Sequence, residues 1–389
     1  MYKIQTLNEI SPVFRQHMPE DQYTVGKDVA EPQAILVRSA SMHELPVPES
    51  LLAVGRAGAG YNNIPVEDYA RRGIVVFNAP GANANAVKEL AIAALLLGSR
   101  DIVGGIAWAG TLKGKGAEVA KLVEKGKNRF AGPELKGKTL GVIGLGGVGG
   151  LVANAAVDLK MRVLGFDPYI SVDNAWRLSR KIVHVNSQDD MLGQCDYLSI
   201  HVPLTDSTRG SFNRAVFDKM KPGAVLLNLA RGELVNNDDL LAALESGQLR
   251  RYVTDFPADE VIGVPGVVAI PHLGASTPES EDNCVDMVSS QLRDYLENGT
   301  ILHAVNYPDC ALGEDFRYRL ALMHANVPNT VSRITSTVAQ QGVNIDSMVN
   351  KSRGEFAYTV LDMDDPVNGE TLARLRELEH VYRVRYFAR

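Results

Sequence analysis

Short apolar runs alternate with longer amphipathic stretches along most of this chain. In the first hundred residues, 34–37, 52–54 and 74–77 read as buried strands and 86–97 as a buried helix, which predicts a small α/β domain. The pattern then resumes. Segments 161–166, 197–201, 224–229, 251–254 and 267–270 predict strands separated by helical or turn segments, as in a parallel sheet covered on both faces. Residues 274–299 read as one long helix, opened by Ser276-Thr-Pro-Glu279 with Pro278 near its first turn. Beyond a polar segment containing Pro and Gly (306–315), the tail predicts a βαββαβ unit. Its strands are 319–324, 347–350, 356–362 and 381–387, and its helices 328–341 and 370–379.

The most specific local signal is the stretch 139–149, in which Gly144, Gly146 and Gly149 follow a short apolar run and open a helical one. Gly144 permits a tight turn, Gly146 lets backbone approach a pyrophosphate, and Gly149 lets the helix pack closely on the strand. Asp167 closes the next predicted strand, where a carboxylate can accept both ribose hydroxyls. Pro168 and Tyr169 follow where an Arg for a 2′-phosphate would sit, which favours NAD over NADP.

At 389 residues, two or three domains are expected. A composition of 45% hydrophobic and 22% charged residues is that of a soluble globular protein, and a net charge of -6 gives no reason to expect nucleic-acid binding. No apolar run has the length of a membrane span, and the first residues lack a signal core, so a cytoplasmic protein is expected. Cys195, Cys284 and Cys310 have no metal-ligand spacing and predict reduced thiols, with neither disulfides nor a zinc site. Segment 111–130 carries six basic residues against two acidic ones, read either as a solvated helix beside a loop or as a positive rim for an anionic substrate.

Three islands place chemistry after predicted strands: Asn228-Leu-Ala-Arg-Gly232, Thr254-Asp-Phe-Pro-Ala-Asp-Glu260 and Ala269-Ile-Pro-His-Leu-Gly-Ala-Ser276. Loops at the carboxyl ends of strands form the ligand crevice of an open α/β sheet. There Arg231 can hold a substrate carboxylate bidentately and polarise the reacting oxygen. His272 can remove a hydroxyl proton as hydride leaves the same carbon. Glu260 can bond the other ring nitrogen and stabilise the protonated imidazole, with the adjacent Asp259 as the alternative partner.

These motifs, with His201-Val-Pro-Leu-Thr205, resemble the NAD-dependent D-2-hydroxyacid dehydrogenases over about residues 30–308. Val54-Gly-Arg-Ala-Gly-Ala-Gly60 and Asn78-Ala-Pro-Gly81 resemble the substrate-domain signature of that family. The resemblance implies a Rossmann-type doubly wound parallel sheet (99–278) and a flavodoxin-like discontinuous substrate domain (1–98 with 279–308). A linker (309–315) and the tail (316–389) complete the chain. It assigns NAD contacts to Gly144, Leu145, Gly146, Gly147, Val148, Gly149, Asp167, His201, Val202, Pro203, Thr208, Ala230, Asp255 and Gly274. Substrate contacts fall to Arg56, Ala57, Gly58 and Asn78, with Arg38 nearby, and the catalytic trio to Arg231, Glu260 and His272.

In the tail, His324-Ala-Asn-Val-Pro-Asn329 and Gln341-Gly-Val-Asn-Ile345 resemble an ACT regulatory domain. His324, Asn326 and Asn344 would then bind L-serine between paired domains, and Asn329 stands where Gly is usual. Removing 316–389 is expected to spare much of the activity. The implied substrate is D-3-phosphoglycerate and the implied assembly a homo-oligomer, with no nucleic acid or membrane partner. Glyoxylate or hydroxypyruvate as substrate, or a nucleotide-sensing interaction protein, are the alternatives.

Overall fold

The computed structural model describes all 389 residues and divides into two compact units, Met1–Asn83 with Glu281–Arg389, and Ala84–Ser280. The first segment contains β1 (Tyr2–Leu7), β2 (Tyr23–Gly26), β3 (Ala34–Val37), β4 (Ala53–Arg56), α1 (Val66–Arg71) and β5 (Val75–Asn78). The second unit begins with α2 (Ala84–Ser99), α3 (Ile102–Gly110) and α4 (Val119–Gly126). It continues through β6 (Thr139–Ile143), α5 (Gly147–Asp158), β7 (Arg162–Phe166), α6 (Val172–Trp176), β8 (Val183–His184) and α7 (Asp189–Leu192). It ends with β9 (Tyr197–Ile200), α8 (Arg214–Phe217), β10 (Ala224–Asn228), α9 (Asn237–Glu245), β11 (Leu249–Thr254) and β12 (Val267–Ala269). Then come α10 (Pro278–Asn298), β13 (Tyr318–Ala325), α11 (Thr330–Ala339), β14 (Ile345–Arg353), β15 (Phe356–Met363), α12 (Gly369–Glu377) and β16 (Val381–Ala388).

The second unit is a parallel sheet in the order β12-β11-β10-β9-β6-β7-β8, apolar on both faces because helices cover both. Helix α2 belongs here, which moves the boundary from 98/99 to 83/84. Ala91, Ala94 and Leu95 are fully buried in the core formed with Val152, Val225 and Leu227. Gly98 lies so close to Val225 that a Cβ on it would meet the valine at 2.8 Å. The return to the first unit falls inside α10, at 280/281. That helix starts at Pro278 rather than Gly274, because the Thr277 hydroxyl caps it by accepting the Ser280 amide at 3.1 Å and Pro278 suits the first helical position.

In the first unit the parallel sheet runs β2-β1-β3-β4-β5, and Leu36, Ala53 and Phe77 pack in one core with Val285, Val288 and Leu292 of α10. The tail forms an antiparallel sheet, β14-β15-β13-β16, carrying α11 and α12. It is not a separate body. One side of the sheet (Leu320, Leu322, Leu361) packs with Ile334, Val338 and Leu375 of its own helices. The other side (Ala321, Met323, Tyr358, Val360) joins the core containing Phe77, Leu292 and Tyr295.

Polar groups fasten the same junction. Arg385 donates to the carbonyls of Tyr295 at 2.6 Å and Leu296 at 2.7 Å, Arg319 to that of Asn298 at 2.9 Å, and the Tyr358 hydroxyl to that of Gly299 at 2.6 Å. These carbonyls end α10, where the helix leaves acceptors unpaired and its dipole favours cations. Arg383 donates to the Leu51 carbonyl and Arg353 to those of Ala304 and Val305. Arg319, itself fully buried, also pairs with Asp362 through two bonds of 2.6 and 2.8 Å.

Candidate active site

The glycine turn has the local geometry its residues predict. Gly144, at φ +88°, stands where a Cβ would lie 2.6 Å from the His201 carbonyl oxygen, so the ends of β6 and β9 pass close together. A Cβ on Gly149 would overlap the Gly144 carbonyl. Gly146, the residue before α5, faces open space, with nothing within 4 Å of an added Cβ. Parallel pairing of Ile143 with Phe166 sets Asp167 beside the turn. Its carboxylate accepts the Leu145 and Tyr169 amides at 2.8 and 2.9 Å, and each oxygen keeps a lone pair for another donor.

His201, Val202 and Pro203 follow β9, and the Thr208 hydroxyl donates to the Pro203 carbonyl at 2.7 Å. The His201 ring shares a 2.8 Å hydrogen bond with Ser199, and burial pushes its pKa down to about 4. That imidazole is neutral.

Arg231, Asp255 and His272 follow β10, β11 and β12, adjacent strands of one sheet. Buried Asn228 shapes the first loop, donating to the Arg231 carbonyl at 2.9 Å and accepting the Ala230 amide at 3.2 Å. The Arg231 side chain is exposed and donates to the Ala230 carbonyl at 2.7 Å. Asp255 is 1% exposed; one carboxylate oxygen accepts the Gly274 amide at 3.1 Å, and the other has no partner. Burial raises its pKa, opposed by that amide and by the charges of His272 and Arg231.

Phe256 is the site residue that the sequence reading missed. Its ring centroid lies 4.5 Å from that of His272, and the Arg231 guanidinium carbon lies 5.9 Å from the same centroid. An aromatic directly after a strand-end carboxylate was the available signal. Glu260 departs from expectation. Both it and Asp259 are exposed, and neither bonds His272, because the amides of Val261 and Ile262 fold back onto the Ala258 carbonyl and buried Val261 anchors the turn.

In the first unit, Arg56 and Asn78 end the paired strands β4 and β5 side by side. Asn78 donates to the Ala59 carbonyl at 2.7 Å and so ties down the loop containing Ala57 and Gly58, while Arg38 pairs with Glu281 at 2.7 Å.

In the tail, His324 is a core residue, 2% exposed, contrary to a role as an open ligand. One ring nitrogen faces the Ala325 carbonyl and the other the Thr359 hydroxyl, both at 2.8 Å, and burial lowers its pKa. Asn326 and Asn344 are exposed. Asn329 takes the left-handed conformation at φ +69°, as the glycine it replaces would. The basic segment 111–130 is mostly exposed around α4, with Lys127 paired to Glu124. All three cysteines are buried and free, and no single helix is long and apolar enough to cross a membrane.

Open space over Gly146, the Asp167 carboxylate and the unpaired oxygen of Asp255 together suit NAD, which presents a pyrophosphate, ribose hydroxyls and amide donors. Comparison with known proteins agrees. Residues 108–274 match the model of the D-isomer specific 2-hydroxyacid dehydrogenase NAD binding domain. The chain is 33% identical over 310 residues to a D-3-phosphoglycerate dehydrogenase of Archaeoglobus fulgidus, covering 76% of this chain but 55% of that protein. It is 31% identical over 352 residues to the Escherichia coli enzyme of that name, covering 87% and 82%. The crystal structure of NAD+-bound 3-phosphoglycerate dehydrogenase from Entamoeba histolytica superimposes with a TM-score of 0.61 at 26% identity, over 78% of this chain and 98% of that one.

Proposed function

The chain belongs to the D-isomer-specific 2-hydroxyacid dehydrogenases, NAD-dependent oxidoreductases, and from that premise we propose that it oxidises D-3-phosphoglycerate to 3-phosphohydroxypyruvate, the first step of L-serine biosynthesis. The observation that carries this reading is the grouping of Arg231, Asp255 and His272 after three adjacent strands, with Phe256 against the imidazole. NAD, when bound, supplies the hydride acceptor. Arg231 holds the substrate carboxylate, and His272 takes the hydroxyl proton. Asp255 offers its unpaired oxygen to the cofactor. Glu260 is the carboxylate proposed to stabilise the protonated His272, which requires the turn at 258–262 to rearrange. Arg56, Ala57, Gly58 and Asn78 are the proposed substrate contacts of the other unit.

The substrate choice rests on relatives named for that reaction at 31–33% identity. For the tail, exposed Asn326 and Asn344 support binding of L-serine, with His324 a buried brace rather than a contact. Exposed Ile102, Val103 and Ile106 on α3 support self-association into a homo-oligomer. The test is NADH formation from D-3-phosphoglycerate with the product trapped, with and without L-serine, alongside sedimentation of the protein. Turnover supports the substrate. Oxidation of NADH by glyoxylate or hydroxypyruvate alone would replace it, and turnover indifferent to serine would leave the tail to assembly.

A further inference from the structure

The loops at the amino-terminal edge of the second sheet, opposite the edge that carries the catalytic groups, form a half-open cavity of about 330 Å³. Tyr197, Ala224 and Arg250 from the starts of β9, β10 and β11 line it, together with Lys138, just before β6, and Lys221. One carboxylate, Asp196, faces these three cations.

Asp196 is already committed. It accepts the Thr139 amide at 2.8 Å and the Lys221 ammonium at 3.0 Å. Burial opposes its ionisation, but these two partners outweigh burial and hold its pKa below the ordinary value. Lys138 and Arg250 therefore leave two positive charges in excess. The Tyr197 side chain is 1% exposed, and its hydroxyl lies beside the Arg250 guanidinium and the Ser99 hydroxyl, both of which oppose the rise in its pKa that burial causes. The Ser99 hydroxyl is also buried. Three cations facing one committed carboxylate, with a tyrosine hydroxyl beside them, suit an anionic ligand. The volume suits a small ligand: about 330 Å³ is at the small end of metabolite sites.

We propose that this cavity binds a small dianion, a phosphomonoester or a dicarboxylate, remote from the reacting groups. Lys138 and Arg250 supply the charge, and the Tyr197 hydroxyl donates to the anion. Strands of four to six residues separate the two edges, about 13–20 Å at the usual rise.

The test titrates inorganic phosphate and succinate calorimetrically into the full chain at low ionic strength. Binding is expected for the native protein and for Arg231→Ala, and the Lys138→Glu/Arg250→Gln variant should weaken it by at least about tenfold. Arg250 also donates to the Ser99 carbonyl at 3.1 Å, so a second variant guards against loss of folding. Gly223 lines the cavity with nothing within 4 Å of an added Cβ, and Gly223→Asp adds a negative charge there; its φ of +76° strains any side chain, aspartate less than most, so the melting temperature of the variant is measured alongside. It should weaken binding similarly. Preference for phosphate or for succinate identifies the source of the dianion. Failure of both to bind at millimolar concentration, or binding that survives the cavity variants and disappears in Arg231→Ala, overturns the proposal.

Discussion

The imidazole of His272 rests on the phenyl ring of Phe256, with centroids 4.5 Å apart and planes inclined by 45°. In this structure no carboxylate fixes that ring, so the aromatic contact sets its position. Phe256→Ala is expected to lower kcat/KM by about threefold to tenfold, the worth of an aromatic pair of roughly 0.5–1.5 kcal/mol. NAD affinity should stay unchanged, and Phe256→Tyr should restore turnover. Steady-state kinetics of both variants decide it; a silent Phe256→Ala would return the positioning role to a carboxylate.

His272→Ala tests the proposed base directly. Turnover should fall by about 10²- to 10⁴-fold, the usual contribution of a positioned acid–base group. NAD binding followed by fluorescence should hardly change, because the base acts in the transition state. Normal turnover would remove His272 from the mechanism.

Asp167 is bound to the glycine turn through the Leu145 amide and to the following loop through that of Tyr169. Asp167→Ala therefore removes a ribose acceptor and a brace at once. A rise of roughly tenfold or more in KM for NAD is expected, about 1.4 kcal/mol or above for a charged hydrogen bond. An unaltered NAD affinity would refute the ribose contact.

Stability should fall on the acid side through His201. Its pKa is about 4 in the folded chain and about 6.5 unfolded, so between those values the unfolded state binds the additional proton. The stabilisation is complete above pH 6.5 and is lost as pH falls towards 4. His324, lowered in the same direction, adds to the effect. Melting temperatures from pH 7 to 4.5 should drop less for His201→Asn, relative to its own value at pH 7, than for the native chain. Parallel curves would show that the ring does not contribute.

The Arg319–Asp362 pair is buried where the tail meets the first unit's core. Asp362→Ala leaves the guanidinium without its counter-charge and should cost about 3–5 kcal/mol. Deletion of 316–389 should do more, because it uncovers the core beside Phe77 and Tyr295. Chemical denaturation and the solubility of the shortened chain measure both; a soluble, active truncation would show that this core stands without the tail.

The strands and the glycine turn were legible because short apolar runs and φ-specific glycines are local signals. Membership of α2 was not, since a helix buried on most sides does not say which sheet covers it. Whether Glu260 faces His272 was not legible either, because the conformation of its turn depends on buried Val261, a tertiary fact. The tail's burial was written in the chain all the same. Leu320-Ala-Leu-Met323 in β13 and Val360-Leu361 in β15 lack polar alternation, as a sheet covered on both faces requires.

The arginines of the tail reach main-chain carbonyls far more often than side chains of the first unit. A carbonyl is present whatever residue bears it. The bonds received between Tyr295 and Val305 therefore set no condition on the side chains there, which answer to packing instead (Tyr295, Leu296, Ile301 and Ala304 are buried), whereas the forked contacts of Arg319 and Arg385 exclude even lysine. The seam thus constrains its two sides differently, the donor by side-chain chemistry and the acceptor by shape.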